Sequence, residues 1–194
     1  MLRLSANRGF SLIELITTLT ILSILIYLAQ TGFSGWIANN KARSVAEALQ
    51  NGVRVAQAEA VKRNRQVAFV LTNTEPAAGV KAASPASYWY IQALPIVSTE
   101  TVDTPYVQGG SFGDVARGVA ITGTSVICFN SMGRLVANST TNATFGANCT
   151  AASSNFTVTA PNADRKYQVL VSMGGQVRMC DQNKTLSKTT PDGC

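Results

Sequence analysis

The sequence predicts an α+β protein: one long N-terminal helix, apolar in its first half and amphipathic in its second, followed by a region of antiparallel strands. Three observations carry this. Phe10 to Leu28 is a run of 19 residues whose only charge is Glu14. From Ser34 to about Asn64 the apolar residues recur mostly at three- and four-residue spacing, the mark of a helix with one buried face. After Arg65 that period gives way to short β-branched and aromatic runs bounded by turn residues.

As a helix the first run is about 28 Å long, close to the roughly 30 Å hydrocarbon core of a bilayer. Glu14 then needs a partner, a cap or a process to explain it. Ser11-x-x-Glu14 has capping-box spacing, and a carboxylate suits the positive end of a helix dipole. The hydroxyls of Thr17, Thr18, Thr20 and Ser23 can bond across helices or back to their own i−4 carbonyls; the second is expected.

In the second half Ile37, Val45, Leu49, Val53, Ala56 and Ala60 form the stripe expected to be buried. Lys41, Arg43, Glu47, Gln50, Arg54 and Lys62 lie off it. Glu59 and Arg63 make a favourable i, i+4 pair. A continuous helix would reach about 80 Å, and Gly32 and Gly35 mark where it could bend.

The strand signals are "QVAFVL", "YWYIQAL", "SVICFN", "FTVTA", "YQVLVS" and "QVRMC". "FNSMGRLV" and "VSMGGQVR" read as hairpins, with Met132-Gly133 and Gly174-Gly175 in their turns. Residues 73–87, 98–118 and 138–154 are rich in Ser, Thr, Ala, Gly and Asn and read as loops. Asn138, Asn142, Asn148 and Asn155 each open an Asn-x-Ser/Thr triplet, expected by chance in so Ser/Thr-rich a chain.

There are 16 Lys and Arg against 10 Asp and Glu, and 14 against 10 once Arg3 and Arg8 are set aside. That is too weak a balance to argue by itself for nucleic acid. The chain has no His, which excludes His-based catalysis and His metal sites. Asp103, Asp114, Asp164 and Asp181 lie scattered among loop signals without paired spacing, and nothing resembles a P-loop or dinucleotide fingerprint. An enzyme is not expected, nor is a cofactor or metal. Cys128, Cys149, Cys180 and Cys194 form no CxxC pair; an even count beyond a membrane segment fits disulfides in an oxidising compartment. Three pairings are possible. Cys128–Cys149 and Cys180–Cys194, the nearest neighbours, are expected.

The N-terminus could be a secretory signal, but no A-x-A site follows and the apolar run is long. It could be a plain signal anchor. "RG|FSLIE" resembles a third class, the leader of type IV prepilins. That resemblance implies a leader of residues 1–9, cleavage by a prepilin peptidase between Gly9 and Phe10, and methylation of the new Phe10 amine. It implies retention of 10–31 as a transmembrane and filament-core helix. Glu14 becomes mature residue five. Its carboxylate is costly in hydrocarbon and can pair with the Phe10 ammonium of another subunit, making it an assembly ruler. Many major pilins carry a glycine and a proline where this chain has Ser23 and Thr31, which argues against a major pilin.

The layout is also similar to the GspH/FimT-like minor pilins and pseudopilins, in the leader, "VAQAEAVKRNRQVAFV", "CFNSMGRL" and "GGQVRMC". The resemblance implies a helix packed on antiparallel sheets, with 32–65 as its amphipathic half and 66–194 as a β-rich periplasmic or extracellular domain. It implies a single-pass inner-membrane protein that passes into the pilus, and other pilins as partners. The expected role is a structural or priming subunit of a type IV pilus. The alternatives are an H-type pseudopilin of type II secretion and a DNA-binding minor pilin of natural transformation. Some FimT-like proteins bind DNA through Gly-Arg-x-Arg; here Gly175-Gln176-Val177-Arg178 has Gln in place of the first Arg. Arg178, Lys184, Lys188 and Arg134 are the candidate phosphate contacts, expected to be ordinary solvated charges. Tyr88, Trp89 and Tyr90 could stack on bases but are expected in core and rim.

Overall fold

The structure is a computed structural model that describes residues 10–96, 100–138 and 146–194. Gly9 and the rest of the leader lie outside the described residues, as does Asn142. Helix α1 (Leu12–Arg63) is followed by β1 (Val67–Thr72), β2 (Tyr88–Ala93), β3 (Tyr106–Ser111), the one-turn α2 (Phe112–Val115), β4 (Ala120–Gly123), β5 (Val126–Phe129), β6 (Leu135–Val136), β7 (Ser154–Thr159), β8 (Tyr167–Val171) and β9 (Val177–Asp181). The strands form two antiparallel sheets, ordered β3-β2-β1-β5-β6 and β4-β7-β8-β9.

The capping box opens α1: Glu14 N–H donates to Ser11 Oγ at 3.3 Å, and Ser11 N–H donates to Glu14 Oε2 at 3.0 Å. Asn64 closes it in the left-handed region at φ 49°, its N–H donating to the Ala60 and Val61 carbonyls. Asn is among the few residues that enter this region at low cost.

Both sheets pack on the second half of α1. Ala42, Val45, Ala46, Leu49, Val53, Ala56 and Ala60 share one core with Phe69, Ile91 and Phe129 of the first sheet and Phe156, Val169 and Val171 of the second. Gly52 costs roughly 1 kcal/mol in helix propensity. A Cβ there would stand 3.1 Å from the Phe69 ring and 3.4 Å from Trp89, so the position admits the aromatic pair. The expected stripe is buried except Ile37, which is 43% exposed. The sheets cover the helix only from Ala38 onward.

All of β1 is buried, because its sheet is covered on both faces. Val67, Phe69 and Leu71 face the helix; Ala68 and Val70 face a smaller cluster with Tyr90, Leu94, Cys128 and Cys149. β8 instead alternates, Tyr167, Val169 and Val171 inward with Gln168 and Leu170 less buried, as in a sheet with one covered face.

The loop expected over 98–118 holds β3 and α2, and β4 follows without a strand signal having marked it. β3 and β4 are edge strands. β3 carries Gly109 and Gly110, which fit against Trp89; β4 buries only Ile121. β3 thus lacks the β-branched density by which a strand is read, and β4 is only four residues long with one buried side chain.

Candidate functional site

Every large apolar side chain from Phe10 to Leu28 is exposed. No domain surface packs there, so this half of α1 presents Glu14 and a bare apolar cylinder. Among the described residues no single helix is long and apolar enough to cross a membrane; Leu12–Leu28 and Phe33–Arg63, bent by 44°, reach that length and composition only when taken as a pair. Ser11 occupies Oε2 of Glu14. A carboxylate has about four acceptor sites, so capping leaves room for a cation from another chain. The Thr17, Thr18, Thr20 and Ser23 hydroxyls donate to carbonyls three residues back, at 2.8–3.0 Å. They bond to their own helix as expected, though to i−3 rather than i−4.

At the other end, the two hairpin turns meet on α1. Gln57 Nε2 donates to Gly133 O at 2.7 Å and to Gly175 O at 2.9 Å, and Leu135 N–H donates to Met173 O at 3.1 Å. Gly175 has φ 90°, and a Cβ there would lie 2.0 Å from Gly133 O. The approach is possible only without a side chain. Sequence reasoning missed Gln57. Its signal is visible afterwards: a polar residue four beyond Val53, on the apolar stripe.

Cys128 is bonded to Cys149 and Cys180 to Cys194. The first bond closes the smaller cluster over the outer face of β1. The second returns the tail to β9, where Asp181 N–H donates to Asp192 O at 2.7 Å and Cys194 N–H to Lys184 O at 3.0 Å.

The candidate phosphate contacts fall into two groups. Arg178 and Gln176 line an open groove of about 470 Å³ on the second sheet, with Ser153, Asn155, Leu170 and Ser172. Arg134 is exposed on the neighbouring hairpin turn. Lys184 and Lys188 sit in the tail beyond Asp181, which lies three strand steps or roughly 10 Å along β9 from Arg178. Lys184 is engaged by Asp192, whose carboxyl is thereby held below the usual range. Of the aromatics, Tyr90 is fully buried with its hydroxyl donating to Val80 O, and burial pushes that hydroxyl's pKa up. Trp89 stacks on Phe69 at 5.6 Å. Neither presents a free face to a base. Among the described residues, no group of three or more Cys, Asp or Glu side chains could hold a metal ion.

One half of the helix is thus sheathed by two sheets, and the other is bare apolar surface carrying one carboxylate. The profile of the family described as type II transport protein GspH matches residues 45–175, and that of the prokaryotic N-terminal methylation motif matches residues 4–26. The chain belongs to this GspH family, the GspH/FimT-like group of type IV minor pilins and pseudopilins. Its fold is similar to that of the type IV minor pilin FimU of Pseudomonas aeruginosa PAO1 in crystal form P21, at 16% identity over 75% of this chain and 92% of that one, TM-score 0.50. The P65 form gives 14%, 73%, 94% and 0.48. The solution structure of E. coli GspH gives 10%, 77%, 94% and 0.46. No curated protein matches the chain. The family is one of structural, non-enzymatic pilins, and its leader motif implies anchoring in the inner membrane by the N-terminal helix.

Proposed function

We propose that this chain is a minor pilin that primes or caps a type IV pilus. Prepilin peptidase cuts between Gly9 and Phe10 and methylates the new amine. Residues 10–31 hold the subunit in the inner membrane with residues 66–194 in the periplasm, and 32–65 form the stem that the domain encloses. On assembly the apolar half moves from lipid into the filament core. Glu14 then takes the Phe10 ammonium of a neighbour, so a desolvated carboxylate finds its counter-charge in one register only.

The observation that carries this reading is the exposure of every large apolar residue of Phe10–Leu28 beside a single capping carboxylate. Glu14→Ala tests it. The variant should be cleaved and methylated normally yet be absent from sheared pili; wild-type incorporation would sink the ruler role. The H-type pseudopilin is the runner-up within the same architecture. The two disulfides and the tail stapled to β9 favour a subunit displayed outside the cell.

DNA uptake is a second reading, favoured by Arg178, which has no acidic partner among the described residues. The split between Arg178 and the two tail lysines weakens it, as does the Lys184–Asp192 pair. Residues 36–194 are expected not to bind duplex DNA at physiological salt. Salt-sensitive binding lost in an Arg178→Gln, Lys184→Gln, Lys188→Gln variant would make the protein a DNA receptor.

A further inference from the structure

We propose that the end of the domain from which the apolar half of α1 emerges is a docking surface for anionic phospholipid headgroups. The inference rests on the reading that residues 10–31 span the bilayer.

An open groove of about 350 Å³ lies where the helix enters the domain, lined by Ser34, Ile37, Lys41, Arg117, Pro161 and Asn162. It sits between three elements: the first turns of the enclosed helix, the loop after α2 and the β7–β8 turn. Lys41 and Arg117 are exposed, and neither makes a hydrogen bond or ion pair among the described residues. No acid lines the groove. Asn39 Oδ1 accepts the Arg165 N–H at 3.0 Å, which holds the β7–β8 turn against the helix and adds the exposed Arg165 and Lys166 to the same end. Two acids share this level, Asp164 over Gly35 and Asp114 on α2. Arg43 is neutralised by Glu47 at 2.8 Å. Arg165 in turn stands 4.0 Å from the buried Asp181, and the three remaining cations, Lys41, Arg117 and Lys166, outnumber the two acids.

Directly before the groove stand Phe33 and Trp36, 62% and 63% exposed, in an edge-to-face pair with centroids 6.2 Å apart. Aromatic rings of this kind favour the headgroup layer. Phe33 and Trp36 follow Leu28 by five and eight residues, about 8 and 12 Å along the helix. The headgroup layer reaches about 5–8 Å beyond the hydrocarbon. On a straight path Phe33 would fall near the layer's outer boundary and Trp36 beyond it; the 44° bend between Leu28 and Phe33 lowers both, and Lys41 with them. Lys41 is about 20 Å along, but helical side chains lean toward the N-terminus, here toward the membrane. Its ammonium comes within about a Debye length of the headgroups, roughly 8–10 Å. Aromatic anchors next to the span and unpaired cations just above them complement an anionic lipid surface and continue the anchor. Docking would hold the domain upright on the membrane before extraction into a filament.

The full chain in nanodiscs tests this, with hydrogen exchange read at residues 115–119 and 161–166. In phosphatidylcholine discs containing about one-third phosphatidylglycerol, exchange there should be about tenfold slower than in pure phosphatidylcholine. High salt, or Lys41→Gln with Arg117→Gln, should remove the difference while β1 and β8 stay protected. Incorporation with equal exchange in both lipids overturns the docking surface alone, whether or not the variant folds. Failure to enter nanodiscs overturns the anchoring and this inference with it.

Discussion

The two halves of α1 are one helix in two solvents. From Ala38 to Ala60 it obeys the rule of a soluble amphipathic helix: small and branched apolar residues on the covered face, Arg, Lys, Glu and Gln elsewhere. From Phe10 to Leu28 it is apolar all round, with no domain against it. The sheathed half gains its stability inside the chain. The bare half contributes nothing to the domain's fold and can be satisfied only by lipid or by other chains. Anchoring and folding are therefore separable.

The sharpest way to break that comparison is a matched pair of variants. Ile21→Asp with Leu25→Asp should cost about 6–8 kcal/mol of membrane insertion, read as loss of the chain from alkali-washed membranes. The domain's Tm should not move, because neither side chain touches it. Leu49→Ala should do the reverse: about 2–5 kcal/mol of domain stability lost to a cavity between the sheets, with membrane recovery unchanged. A domain Tm that falls in the first variant would mean that the halves are coupled.

Legibility divides along the same line. Both halves of α1 could be read because a helix declares its environment through its period. The capping box could be read because it needs only residues three apart. β1 could be read as a strand, but not as a strand buried on both faces, since its second cover comes from Cys149 and Leu94, distant in sequence. β3 and β4 were hidden because edge strands need few buried side chains. Glu14 stands out in the sequence, while the partner proposed for it, the Phe10 ammonium of a neighbour, belongs to another chain. The basic residues near the C-terminus look like one cluster when written out. The fold places Arg178 at the start of β9, while Lys184 and Lys188 lie in the tail past its far end.

A smaller effect tests how tightly the sheathed half holds its two sheets. Gln57 is the side chain through which α1 bonds both hairpin turns. Gln57→Ala leaves the Gly133 and Gly175 carbonyls without their donor, at about 1–3 kcal/mol for the pair, visible as a lower urea midpoint. Exchange should quicken at residues 131–135 and 173–177 ahead of β1. A uniform loss over the domain would show that the turns are held by the sheets and not by the helix.

The smallest expected effect lies at the far end of the sheathed half. Glu59 is bonded by Arg63 at 2.8 Å and Lys62 at 3.0 Å, and its side chain is only 16% exposed. The Arg63 hydrogen bond, then that of Lys62, holds its carboxyl below the ordinary range of about 4.3. A carboxyl depressed on folding stabilises the native state at pH above its unfolded value, and the contribution disappears as pH falls through the lower folded value. Arg63 also reaches Thr104 O, and Arg65 pairs with Glu100 at 2.8 Å. Acid should therefore loosen residues 100–105 from the helix end before the domain unfolds. In Glu59→Gln the fall in Tm between about pH 5 and 3 should be shallower than in the wild type, with little difference at pH 7 beyond the lost pairs. Parallel pH profiles would mean that Glu59 ionises as freely in the folded domain as in the open chain, and that its two cations serve the loop alone.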